Sequence, residues 1–101
     1  IGKSNMSLKA QTKAIDTHIY ERDTGWLREC DIVIAECTCP SLGVGYELGY
    51  AEAHGIPVFV FYNKSKANLS AMLNGNTHFT IVPYEVEDEI YIRLNDILNQ
   101  N

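Results

Sequence analysis

The chain is most constrained by the order of four segments between Asp31 and Tyr62. Asp31 to Glu36 is an apolar run closed by acids at both ends, the pattern of a short buried strand. Pro40-Ser41-Leu42-Gly43 reads as a turn. From Leu42 or Gly43 to His54 the pattern is helical, with Val44, Leu48 and Ala51 as its apolar stripe, Gly55 as its stop and Ile56-Pro57 as the turn that follows. Val58–Tyr62 is a continuous apolar run, as expected for a parallel strand covered on both faces. Strand, crossover helix and strand predict a right-handed βαβ unit. The Pro40–Gly43 turn then lies at the carboxyl edge of the sheet, where α/β proteins bind ligands. The free N–H groups of the helix it opens favour anions such as phosphate. Glu47 stands one turn into that helix, and a carboxylate there needs a chemical reason because it repels an anion. Gly45 and Gly49, four apart on one face, predict close helix packing.

The flanking segments extend the same plan. Ile1 to Lys13 is polar and reads as a loop. From Ala14 to about Cys30 the period becomes helical, with Ile15, Ile19, Trp26 and Cys30 on one stripe. Asp23 falls on that stripe, and a carboxylate on an apolar face is the informative exception. Two readings of it stand: a structural Asp that satisfies a backbone group or pairs with Arg22, or a site residue. Gly25 inside this helix costs about 1 kcal/mol relative to Ala, which predicts close packing at that point. Asn63–Asn68 is a polar loop with Lys64 and Lys66, leaving the same sheet edge as the Pro40–Gly43 turn. Leu69–Leu73 predicts a short helix stopped by Asn74-Gly75, Phe79–Val82 a third strand, and Val86, Ile90, Leu94 and Ile97 a final amphipathic helix. The expected fold class is α/β, a flavodoxin- or Rossmann-like parallel sheet with helices on both faces, in one domain over residues 1–101.

Composition narrows the function. A net charge of −5 over 101 residues argues against nonspecific binding of nucleic-acid polymers, which takes a basic surface. No run approaches the roughly 20 apolar residues of a membrane span, and Ile1–Lys13 lacks the apolar core of a signal peptide. Cys30, Cys37 and Cys39 show no framework spacing and predict a reducing compartment, cytoplasmic or nuclear. Cys37-x-Cys39 has no second pair of Cys or His ligands, so no metal is expected.

Ser41-Leu42-Gly43-Val44-Gly45-Tyr46-Glu47-Leu48-Gly49 resembles the signature of the 2'-deoxynucleoside 5'-phosphate N-hydrolases, relatives of the nucleoside 2-deoxyribosyltransferases. The likeness extends to Glu21-Arg22-Asp23-Thr24-Gly25-Trp26-Leu27, to Asp31–Glu36 and to Leu69-Ser70-Ala71-Met72, in the family's order. The family has two further strands, a Gly-rich phosphate loop and a Tyr ahead of this region. With Ile rather than Met at position 1, a longer protein is therefore expected. A sheet without its first strand also exposes an apolar edge, which soluble proteins avoid.

The resemblance implies hydrolysis of a 2'-deoxynucleoside 5'-monophosphate to base and 2-deoxyribose 5-phosphate, with no metal or organic cofactor. Glu47 matches the family's nucleophile, which attacks C1' and forms a glycosyl-enzyme that water opens. Asp23 matches the residue that helps protonate the base and orient the sugar. Ser41 matches a position that is usually Asp in the transferases, where it binds the free 5'-hydroxyl. A carboxylate about 4 Å from a phosphate charge costs roughly 4 kcal/mol at an effective dielectric of 20, so Ser there suits a nucleotide. Gly43 leaves room for phosphate at the backbone. Ser70 matches a serine that reaches the phosphate in the neighbouring subunit's site, which implies a homodimer with shared sites. Plainer roles stand beside these: a solvated Glu47, and Ser41 and Ser70 as helix N-caps. The alternatives are deoxyribose transfer between bases and a non-catalytic nucleotide-binding or dimerisation module.

Overall fold

The computed structural model describes residues 2–99, with side chains from residue 12 onward. It divides into two compact units, Ile1–Cys30 and Asp31–Asn101.

The first unit is one helix, α1 (Gly2–Glu29). The stretch up to Lys13 expected to be a loop is therefore helical from Gly2. It holds good helix formers such as Lys9, Ala10, Gln11 and Lys13, and a helix does not need an apolar stripe at every turn. The expected stripe is not an inside face either, since Ile15, Ile19, Trp26 and Cys30 are all exposed and the buried positions are Thr24 and Leu27. Thr24 satisfies its hydroxyl by donating to the Tyr20 carbonyl at 2.7 Å. Close packing at Gly25 is not found among the described residues, where a Cβ would meet only the Arg28 guanidinium, at an ordinary 3.7 Å.

The second unit is the βαβ core. Strands β1 (Val33–Glu36), β2 (Val58–Asn63) and β3 (Phe79–Tyr84) form a parallel sheet in the order β1-β2-β3. Val33 pairs with Val58, and Val58 with Phe79. Side chains on a strand alternate between faces, and β2 uses both. Val58 and Val60 point into a cluster with Leu48, Ala51, Ile56 and Phe79, whereas Phe61 joins Val82, Tyr84 and Ile97 on the opposite side. Helix α2 (Leu42–Ala53) thus covers one face and the last helix, α4 (Asp88–Asn99), the other. This is the doubly covered sheet the sequence predicts. Between β2 and β3 lies the four-residue helix α3 (Ala71–Asn74), capped by Ser70 and ended by Gly75.

The ends of α2 explain its position. Ser41 is extended (φ −146°, ψ 123°) and its Oγ accepts the Val44 N–H at 3.2 Å, an N-cap. At the other end the Gly55 N–H donates to the Glu52 carbonyl at 3.0 Å and the Ile56 N–H to the Ala51 carbonyl at 2.9 Å. Gly55 has φ +68°, so this is a Schellman stop at a residue that needs no Cβ. The helix is thereby cut to the length that returns Ile56 to the core and starts β2. The close packing expected at Gly45 and Gly49 is absent among the described residues, where a Cβ at either would meet nothing within 4 Å.

Candidate active site

Three segments meet beside the carboxyl edge of the sheet: the turn after β1, the first turn of α2, and the loop entering α3. They enclose a cleft of about 360 Å³ lined by Thr38, Ser41, Val44, Asn68, Ser70 and Met72 among others. That volume lies in the usual range for small-molecule sites. Its polar groups are neutral. Ser41 Oγ and Ser70 Oγ each accept a backbone N–H, from Val44 at 3.2 Å and Met72 at 3.3 Å, so each hydroxyl proton remains to be donated outward. The Gly45 N–H is taken by the Ser41 carbonyl at 3.0 Å, while those of Leu42 and Gly43 have no acceptor among the described residues. Two hydroxyl donors and two N–H groups near a helix start suit an anion.

The strand ends above the cleft are tied together by one carboxylate. Glu36 ends β1, and its two oxygens accept the Thr38 N–H at 2.8 Å and the Thr38 hydroxyl at 2.6 Å. The Tyr84 hydroxyl, at the end of β3, donates to the same carboxylate. Thr38 Oγ1 accepts the N–H of Asn63, the last residue of β2, at 2.9 Å. Asn63 in turn holds the next loop, its Oδ1 accepting the Ser65 N–H at 3.0 Å and hydroxyl at 2.6 Å. Partial burial pushes the Glu36 carboxyl up, but the bonds from Thr38 and Tyr84, with Lys66 nearby, outweigh it and hold it below the ordinary value. Tyr84 is raised, first because ionising it would lose its bond to Glu36 and then by burial. Burial, reinforced by Glu36, raises Cys37 and keeps its thiol protonated.

Of the sequence-expected site residues, Ser41 and Ser70 come together as walls of one cleft in the same chain. The family resemblance implies in addition a reach of Ser70 into a neighbouring subunit's site. Gly43 is exposed at the start of α2, where among the described residues a Cβ would meet only Ser41 Oγ, at 3.9 Å. Glu47 is half-buried one turn further along; neither it nor Gly43 lines the cleft. Asp23 belongs to the other unit, half-buried and paired with Arg22 (Nε to Oδ1, 3.0 Å), whose guanidinium stacks 4.8 Å over Trp26. Pairing with Arg22 is one of the two roles the sequence leaves open for Asp23, and at this exposure it is worth well under 1 kcal/mol. The Lys64–Lys66 loop does not line the cleft, and Lys64 pairs with Glu85 at 3.6 Å. Glu36, Thr38 and Tyr84 were not singled out from sequence. The available signal was an acid closing an otherwise apolar strand at the ligand edge. All three cysteines are free. Among the described residues no group of three His, Cys, Asp or Glu side chains is placed to hold a metal ion, and no helix is long and apolar enough to cross a membrane.

The family model described as nucleoside 2-deoxyribosyltransferase matches residues 3–91. A Syntrophotalea carbinolica protein provisionally named a 2'-deoxynucleoside 5'-phosphate N-hydrolase is 44% identical over 84 residues, covering 82% of this chain and 59% of its own. The mouse 5-hydroxymethyl-dUMP N-hydrolase is 48% identical over 77 residues, covering 72% of this chain and 44% of its own. The chain thus spans about half the length of the curated relatives it matches. Among solved structures, the CMP N-glycosidase of Clostridium botulinum superposes with a TM-score of 0.68 at 23% identity, over 79% of this chain and 74% of the other. At that identity the likeness speaks for the fold.

Proposed function

Because the chain belongs to the nucleoside 2-deoxyribosyltransferase family, we propose that the protein hydrolyses the N-glycosidic bond of 2'-deoxynucleoside 5'-monophosphates, releasing the base and 2-deoxyribose 5-phosphate. The observation that carries this reading is Ser41. It caps α2 inside the cleft with a hydroxyl proton to donate, where a carboxylate would repel phosphate. Ser41, Gly43 and the first N–H groups of α2 take the 5'-phosphate, with Ser70 as a second hydroxyl donor. Glu47, further along the same helix, attacks C1' from the face opposite the base, and the C1'–N bond breaks with its electron pair going to the base. Asp23 assists by protonating the departing base. Water then opens the glycosyl-enzyme, its hydroxyl going to C1' and its proton back to Asp23, and Glu47 leaves as the carboxylate.

In this reading the protein folds as one domain and works in the cytoplasm as a homodimer with sites shared between subunits. Supporting the dimer, Leu42 and Met72 at the cleft are 96% and 82% exposed, and a Cβ on Gly45 or Gly49 of α2 would meet nothing within 4 Å among the described residues. That is apolar and close-approach surface of the kind a second subunit covers.

The test is to incubate the full-length protein with the four deoxynucleoside 5'-monophosphates and their nucleosides, and to measure free base and sugar phosphate. Release of 2-deoxyribose 5-phosphate from a nucleotide, with the nucleosides much poorer, is expected. Equal efficiency on nucleotide and nucleoside would refute the reading. Transfer to an added free base without hydrolysis would bring the transferase forward.

A further inference from the structure

The turn that presents Ser41 is fastened at both ends, to the strand ends through Cys37 and Thr38 and to α2 through the Ser41 N-cap. Its first two residues are held by four hydrogen bonds. The Cys37 N–H donates to the Phe61 carbonyl at 2.7 Å, the Thr38 N–H and hydroxyl donate to Glu36, and the Asn63 N–H donates to Thr38 Oγ1. Only Cys39 and Pro40 separate Thr38 from Ser41, and the φ of Pro40 is fixed by its ring. Thr38 is thus joined to Ser41 by a link of two residues, one of them with a fixed φ, and where Thr38 stands bears on where Ser41 stands. Among the described residues, every hydrogen bond of the Thr38 N–H and side chain except the one from Asn63 ends on the Glu36 carboxylate, which the Tyr84 hydroxyl holds from the far edge of the sheet. Glu36 itself does not line the cleft. A negative charge near a phosphate site works against binding, so a carboxylate kept here calls for an offsetting role. Ionised acceptors make the stronger hydrogen bonds, and all three donors around Glu36 use that.

We propose that Glu36, held by Tyr84, is a positioning residue for phosphate recognition: by fixing Thr38 it sets where Ser41 stands in the cleft. The inference rests on the reading of Ser41 as a phosphate-binding group. Glu36 touches no reacting atom, so its loss weakens capture of the nucleotide rather than bond cleavage.

The experiment compares the full-length wild type with Glu36→Gln, Thr38→Val, Thr38→Ser and Tyr84→Phe, measuring kcat and KM separately for a deoxynucleotide and its nucleoside. Glu36→Gln and Thr38→Val are expected to raise the nucleotide KM about tenfold, equivalent to about 1.4 kcal/mol. In Glu36→Gln and Tyr84→Phe, whose side chains do not line the cleft, the nucleotide kcat and the nucleoside KM should be little changed. Thr38→Ser, which keeps the hydroxyl, restores the wild-type KM, and Tyr84→Phe gives a smaller rise in the same direction. A merely structural role would lower the active fraction and so reduce kcat for both substrates alike. That outcome, or an unchanged nucleotide KM in folded Glu36→Gln, overturns the proposal. Should Glu36→Gln not fold, Tyr84→Phe decides it by the same criteria. A wild type that releases no base from any nucleotide sinks the hydrolase reading instead. The inference is then decided by calorimetric binding of 2-deoxyribose 5-phosphate. A tenfold weaker dissociation constant in the variants supports it; equal affinities, or no binding to the wild type, overturn it.

Discussion

Replacing Ser41 by Asp should turn the protein against its own substrate without disturbing its fold. Ser41 is an N-cap whose Oγ accepts the Val44 N–H, and Asp is as good an N-cap as Ser. Its charge also sits well at a helix start, by a few tenths of a kcal/mol to 1 kcal/mol. The melting temperature should therefore stay within a few degrees of wild type. For a phosphate about 4 Å away, the added charge costs about 4 kcal/mol at an effective dielectric of 20 and about 1 kcal/mol in bulk water. Ser41 is exposed, so the effect belongs in the lower half of that range. About 2 kcal/mol corresponds to a loss of roughly 30-fold in kcat/KM. The loss should appear for the deoxynucleoside 5'-monophosphate and not for the nucleoside, and it should shrink as salt is raised. The assay is kcat/KM for both substrates in both proteins at two ionic strengths. An equal fall for nucleotide and nucleoside, with the fold intact, would mean that Ser41 faces no phosphate.

Other outcomes follow from the same geometry. Glu47→Ala should abolish base release with an unchanged far-ultraviolet spectrum and melting temperature; a folded variant turning over normally, or a sugar adduct trapped elsewhere, would remove the nucleophile. Asp23→Asn should lower kcat while leaving nucleotide binding near wild type, as read by single-turnover kinetics beside calorimetry. Mixing inactive Glu47→Ala with inactive Ser70→Ala chains should restore activity if Ser70 serves the neighbouring subunit, whereas no recovery despite proven subunit exchange would leave Ser70 in its own cleft. The Glu36 carboxyl is held below its ordinary value in the fold, so its stabilising contribution is complete above the ordinary carboxylate value and is lost as pH falls through the lowered one. Chemical unfolding should therefore find Glu36→Gln less stable than wild type near neutrality, with the gap closing in acid. A gap that stays constant with pH would refute that linkage.

What the sequence disclosed, and what it did not, follows the range of the interactions. The β2 segment is legible because a strand covered on both faces must be apolar at every position. Ser41 and Gly55 are legible because capping is settled within a few residues. The fold class and the family were readable from these pieces. The reach of α1 was not, because a polar helix has no stripe to announce it. Neither was the exposure of Ile15, Ile19 and Trp26, since periodicity says which residues share a face and not what lies against it. Ser41 and Ser70 could be named individually, yet their meeting in one cleft depends on where α3 rests beside the sheet. The Glu36–Tyr84 bond joins positions 48 residues apart, a pairing that only the parallel register of β1, β2 and β3 creates.

The order of the sheet also has a consequence for growth. Pro83 lies opposite Tyr62 of β2 in β3, which among the described residues pairs only with β2. The Tyr84 carbonyl accepts the Lys64 N–H at 2.9 Å, so Tyr84 directs its backbone groups toward the β2 side. Backbone groups alternate sides along a strand, so the position of Pro83 is the outward one, and proline has no N–H to offer there. Further strands are thus discouraged on the β3 flank, whereas β1, which among the described residues pairs only with β2, keeps its donors. Any strand addition, whether in productive folding or in aggregation, therefore has a built-in direction. Pro83→Ala would remove it and let fibrillar association start from either side of the sheet.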